Sequence, residues 1–172
     1  MRRPPGAGLS GGPRARHGRH ARHAPLVRHA HSRGDVAVAE YTKPLPEITA
    51  ESRPFWEGCK RRQLLVQRCR ACGARQHYPR GVCAACWSDD LEWLPSPGRG
   101  RVYSFTVTHR TQARGFRDEL PYVLAWVELD EGVQVLTNLV GCDPEKVRIG
   151  MEVRVTFEDV NADVSIPRFT PA

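Results

Sequence analysis

Beyond residue 100 the chain alternates apolar and polar positions with the period of a β-strand. Val102–His109 is rich in β-branched and aromatic residues. Tyr122–Leu129 is a second strand that stops at Asp130-Glu131-Gly132, a turn signal, and Val133–Val140 answers it as a hairpin partner. Met151–Val160 sets Val153, Val155 and Phe157 against Arg154, Thr156 and Glu158. Val164–Phe169 is a short last strand, and Pro167, lacking an N–H, suits it to a sheet edge. Five strands in about 70 residues leave no room for crossover helices, which predicts a small barrel or sandwich; an OB-like barrel fits the count. Within Tyr122–Leu129 the small residues Val123, Ala125 and Val127 suit a tight interior. Tyr122, Leu124 and Trp126 then face the preceding segment or a partner, unless Trp126 itself fills the barrel.

Upstream the pattern changes. Pro54 suits a first helical turn, and Phe55 and Cys59, four apart, share a face. Gly58 keeps this helix short, and Leu64–Val66 reads as a strand leading into Cys69. Pro95, Pro97, Gly98 and Gly100 punctuate a joint before the barrel. The expected organisation is a helix plus ribbon over 54–97 and a barrel over 98–172, preceded by a linker or extended arm over 35–53.

Between helix and barrel stand Cys69-Arg-Ala-Cys72 and Cys83-Ala-Ala-Cys86, two C-x2-C turns separated by ten residues. Each turn can point two thiolates inward, and together they complete a closed, tetrahedral, structural site. Zinc, one ion per chain, is the first choice; iron in a rubredoxin-like site and a pair of disulfides are the alternatives. The segment has few large apolar side chains, so the roughly 10–16 kcal/mol that zinc gives small finger peptides would matter to its order. His77 lies between the turns but is surplus to four sulfurs, so a packing role is expected. Cys59 and Cys142 read as small apolar residues, and His109 near Asp118 or Glu119 is the nearest approach to an acid–base pair. No catalytic residue is assigned.

The net charge of +7 comes from one end. Residues 1–34 hold eight Arg, five of the seven His and no acid. A disordered basic tail is expected there, or an over-long gene start with the true start near Val36 or Val38; a phosphate-binding arm and a metal-binding His tract are the other readings. Residues 53–101 carry a local excess of basic residues, among them Lys60, Arg61, Arg62, Arg68, Arg70, Arg75 and Arg80. That face is either solvated or meets phosphate, on nucleic acid or on coenzyme A. The barrel segment has more acids than bases, which opposes a nucleic-acid groove. No run approaches 18 apolar residues, so no membrane span is expected and the cytoplasm is the expected compartment.

PFWEG at 54–58, LLVQRCRACG at 64–73, the cysteine pair at 83–86, DLEWLPSPGRGRVYSFTVTHR at 90–110, LPYVLAWVELDEGVQVLTNLVG at 120–141, IGMEVRVTFEDV at 149–160 and PRF at 167–169 follow one another in a known order. Over about 50–172 the chain resembles the bacterial and archaeal zinc-ribbon/OB-fold proteins associated with acyl-CoA enzymes. The resemblance implies a helical segment, a rubredoxin-like ribbon and an OB barrel, with Cys69, Cys72, Cys83 and Cys86 as the four metal ligands. It also implies a hetero-oligomer with a thiolase-like or lipid-transfer-type thiolase subunit, or with an enoyl-CoA hydratase-like one. This chain would be a non-catalytic accessory subunit, for an aldolase or thiolase of steroid or lipid degradation. A free-standing nucleic-acid-binding ribbon is the alternative. On that reading Arg114, Phe116 and Arg117, in the loop 110–119, suit a mobile lip at the partner's substrate entrance, where acyl-CoA is held jointly.

Overall fold

The computed structural model describes residues 41–172, so the basic tail and the first part of the arm lie outside the described residues. Residues 41–49 run without helix or strand, and Lys43 within them is buried. Helix α1 spans Arg53–Lys60. Its start is fixed by reciprocal hydrogen bonds: the Thr49 N–H donates to Ser52 Oγ at 3.0 Å, and the Ser52 N–H donates to Thr49 Oγ1 at 3.2 Å. Pro54 supplies the preset φ of a first turn. The helix buries Phe55, Gly58 and Cys59. Gly58 is required by proximity: a Cβ there would lie 2.8 Å from the Leu65 side chain and 2.9 Å from the Gln63 carbonyl.

A three-stranded antiparallel ribbon follows, with β1 (Leu65–Cys69) between β2 (Arg75–Gln76) and β3 (Leu91–Pro95). The remaining strands are β4 (Arg99–Thr108), β5 (Tyr122–Leu129), β6 (Gln134–Leu139), β7 (Glu152–Asp159) and β8 (Ser165–Pro171). They close into a barrel in the order β4-β5-β6-β8-β7, with β4 returning to β7 through Arg99↔Arg154 and Arg101↔Glu152. The fold is the expected one: a short helix, a cysteine ribbon and a five-stranded OB-like barrel.

Val123, Ala125 and Val127 point inward and are fully buried, and Trp126 faces outward at 38% exposure. A bulge between Val102 and Ser104 resets the alternation of β4, so that Val102 and then Phe105 and Val107 supply its apolar side. One expectation is corrected. β8 is not an edge strand: it pairs with β7 along its length and closes on β6 at Leu139↔Phe169, where the Val140 N–H donates to the Phe169 carbonyl at 2.8 Å. Closure puts Pro167 inside the barrel wall, two residues before that short seam, where few ladder bonds are asked of it.

Helix, ribbon and barrel share one core. Phe55, Cys59, Leu64 and Val66 pack in the same cluster as Val102, Val123, Val127, Val135, Val153 and Phe169. Full burial of such a side chain contributes roughly 1.5–3 kcal/mol, so the barrel and the helix stabilise each other through this contact.

Candidate metal centre

The two cysteine turns are built alike. In the first, the Gly73 N–H donates to the Cys69 carbonyl at 2.8 Å; in the second, the Trp87 N–H donates to the Cys83 carbonyl at 3.0 Å. Both turns end in the left-handed region, at φ 77° for Gly73 and φ 64° for Trp87. The four Sγ atoms of Cys69, Cys72, Cys83 and Cys86 lie within 4.8 Å of one another. Cys69 and Cys86 are 3.6 Å apart, and Cys72 and Cys83 are 3.7 Å apart. A tetrahedral ion with zinc–sulfur bonds of about 2.3 Å sets sulfurs about 3.8 Å apart, so the cluster fits zinc. The four thiols are free in the structure, at separations that match a shared ion and not two disulfides. Against a lowering backbone hydrogen bond at Ser88, the neighbouring sulfurs push the Cys86 thiol up, while backbone donors act the other way on Cys83. The N–H groups of Ala85 and Cys86 draw the Cys83 thiol down to about 7.

Two glutamines, unremarkable in the sequence, tie the turns together. Gln67 and Gln76 stand opposite each other on β1 and β2. Gln67 donates to the Arg80 carbonyl and accepts from the Arg80 N–H, both at 3.0 Å. Gln76 donates to Gln67 Oε1 at 2.8 Å and accepts from the Ala84 N–H at 2.9 Å. These hydrogen bonds tie the second cysteine turn to the first hairpin.

His77 packs and does not ligate. It is 8% exposed, edge-on to Phe55 at 5.4 Å between ring centroids, and burial pushes its pKa down to about 4. It lines a cleft of about 310 Å3 with Trp56, Tyr78, Leu136 and Ile166. Cys59 is fully buried, and burial pushes its thiol up to about 12. Cys142 is half-buried. His109 is exposed, while Glu119 is ion-paired with Lys43, so that acid–base pair is not brought together.

The loop residues Arg114, Phe116 and Arg117 lie in a 3-10 turn, Arg114–Glu119, and the turn is clasped by the arm. The buried Lys43 ammonium sits 5.1 Å from the Phe116 ring centroid and pairs with Glu119. Phe116 also rests on Tyr122, at 5.6 Å between centroids. Gly115 is needed because a Cβ would lie 2.8 Å from the Thr42 carbonyl. The side chains of Arg114 and Arg117 stay exposed. Phe116 of the expected lip contacts Lys43 and Tyr122, and the two arginines lie outside that contact. Nothing local in the sequence links Lys43 to Glu119, 76 residues away.

Two of the described non-glycine residues have positive φ, and they differ in what their side chains do. Arg62, at φ 62° after α1, donates to the Phe157 carbonyl at 3.2 Å and pairs with Asp159. Trp87 is 78% exposed. A left-handed backbone costs a non-glycine residue roughly 1–2 kcal/mol. The Arg62 side chain is engaged within the chain, whereas that of Trp87 forms no hydrogen bond among the described residues.

Residues 56–92 match the ChsH2 rubredoxin-like zinc ribbon domain, and residues 93–158 match the ChsH2 C-terminal OB-fold domain. The chain belongs to the ChsH2 (DUF35) family. Among its relatives, a probable enoyl-CoA hydratase alpha subunit of Thermomonospora curvata is 39% identical over 130 residues, covering 76% of this chain and 40% of the relative. A DUF35 domain-containing scaffold protein of Methanocaldococcus jannaschii is 34% identical over 110 residues, covering 63% of this chain and 77% of the relative. A solved chain of the Ltp2-ChsH2(DUF35) aldolase is 38% identical with a TM-score of 0.67, covering 74% of this chain and 98% of that one. The chain thus spans about two-fifths of the hydratase subunit and nearly all of the solved ChsH2(DUF35) chain. Among the described residues no helix is long and apolar enough to cross a membrane.

Proposed function

We propose that this chain is a non-catalytic accessory subunit of a thiolase-like acyl-CoA enzyme, in which the partner carries the nucleophile, base and oxyanion donors. One observation carries the reading: the match runs over 98% of a ChsH2(DUF35) chain from an aldolase that also contains Ltp2. Relatives named as scaffold proteins support the same role. The name of the Thermomonospora curvata relative favours a second reading, in which the partner is hydratase-like. Steroid or lipid acyl-CoA is the substrate class of this reading, supported by a relative named as a 3-oxo-4,17-pregnadiene-20-carboxyl-CoA hydratase alpha subunit.

Cys69, Cys72, Cys83 and Cys86 hold one structural zinc in this proposal, with iron the alternative ion. All four positions are filled by sulfur, so the ion leaves no place for a catalytic water. Its chemistry is to cross-link the ribbon. Arg114 and Arg117, exposed beside the anchored Phe116, offer guanidinium groups to the phosphates of an acyl-CoA held jointly with the partner.

Co-expression with a thiolase-fold protein sought among the products of the neighbouring genes tests the reading, followed by size exclusion and an acyl-CoA turnover assay. A hetero-oligomer is expected, with turnover that depends on this chain. A partner fully active alone, with no complex, overturns it.

A further inference from the structure

The residue that closes the second cysteine turn is the wrong one for its own backbone. The matching position of the first turn is Gly73, where a Cβ would meet nothing within 4 Å and glycine adopts φ 77° freely. Trp87 adopts φ 64° with its side chain 78% exposed. Its turn is apolar, and of the three acids that follow it two lie against Arg68 of β1 and Arg70 just after it. Val82 is 39% exposed, Ala84 and Ala85 are exposed, and residues 81–98 hold three acids, Asp89, Asp90 and Glu92, and no Lys, Arg or His. Asp90 and Glu92 are paired with arginines of this chain, whereas Asp89 forms no ion pair among the described residues.

We propose that Trp87 is the anchor by which the second cysteine turn docks on the thiolase-like subunit, its indole filling an apolar pocket there whose rim is basic and faces Asp89. This rests on the accessory-subunit reading above. An exposed indole on a rigid turn is the kind of group that concentrates binding energy, because it buries a large area with few torsions to order. The ribbon fixes its direction, since Trp87 follows the ligand Cys86 and its N–H is held by Cys83. The free carboxylate of Asp89, two residues on, selects a basic rim and against an acidic one.

The experiment compares Trp87→Gly and Trp87→Asn with the unchanged chain, each zinc-loaded, in titrations against the thiolase-like subunit. Both substitutions suit a left-handed backbone, so metal content is expected to hold and the Tm of the lone chain to stay level or rise. Affinity for the partner is expected to fall at least tenfold. Asp89→Lys is expected to lower affinity with an effect that shrinks as salt rises. If the unchanged chain binds and both Trp87 variants bind equally well, the anchor assignment is wrong while the accessory role stands. If the unchanged chain does not bind, the accessory role itself fails. A fall in Tm or metal content in both variants overturns the proposal in favour of a structural Trp87. A self-associated chain that either Trp87 variant dissociates makes a second copy the occupant, and overturns it as well.

Discussion

Arg62 reaches from the left-handed turn after α1 to Asp159 at the end of β7, a pair 97 residues apart in the chain. The same guanidinium donates to the Phe157 carbonyl, and Lys60 lies 3.5 Å from the same carboxylate. The Ser165 hydroxyl and Arg62 together hold the Asp159 carboxyl below its usual range. Helix and barrel are thus joined by a polar clasp at the rim of their shared apolar core.

Arg62→Ala is expected to destabilise the chain, because it removes the clasp and leaves a Cβ on a left-handed backbone. Arg62→Gly is expected to destabilise less, with a gap between the two variants of about 1 kcal/mol. Urea unfolding of both variants checks the order. Equal losses would mean that the backbone at Arg62 relaxes.

Replacing Cys72 with Ser is expected to abolish metal binding and to disorder the ribbon before the barrel. Structural zinc in finger peptides contributes roughly 10–16 kcal/mol, more than the small ribbon can replace. Elemental analysis with amide exchange reports both parts. Metal-free protein with an intact ribbon would contradict the assignment.

His77 sets an acid limit on stability. Its folded pKa of about 4 lies below the usual value near 6.5, so the unfolded chain binds this proton first as pH falls. The stabilisation is present above about pH 6.5 and is lost as pH drops toward 4, by roughly 3 kcal/mol at most. His77→Phe is expected to flatten that part of the pH–stability curve. An unchanged slope between pH 6.5 and 4 would show that His77 is not the group responsible.

Phe116→Ala and Arg117→Ala are expected to leave metal content unchanged, because the turn they occupy lies outside the cysteine ribbon. In the reconstituted complex, acyl-CoA turnover or partner affinity is expected to fall about tenfold, or about 1.4 kcal/mol. Phe116→Ala should also loosen Lys43 and lower the Tm, which Arg117→Ala should not. Values within twofold of the parent for both variants would reduce the turn to a solvated connection.

The cysteine cluster and the five barrel strands were legible in the sequence, whereas β2 and β3 of the ribbon were not. The cysteine spacing is a local property: two residues between ligands make a turn, and two turns make a tetrahedron. Strand periodicity is likewise local, which is why Tyr122–Leu129 is the same in the pattern and in the structure. Barrel closure is not local. It turned the proline-bearing β8 from an expected edge into a wall strand, because the position of a strand in a sheet depends on its neighbours and not on its own residues. The clasp of Lys43 on Glu119 and the bolting of Gln67 to Gln76 and Arg80 also waited for the tertiary structure, since each joins groups that only folding brings within hydrogen-bond range. Trp87 is the sharpest case. Its identity is plain in the chain, but its left-handed φ and its exposure exist only once the second cysteine turn has closed beneath it.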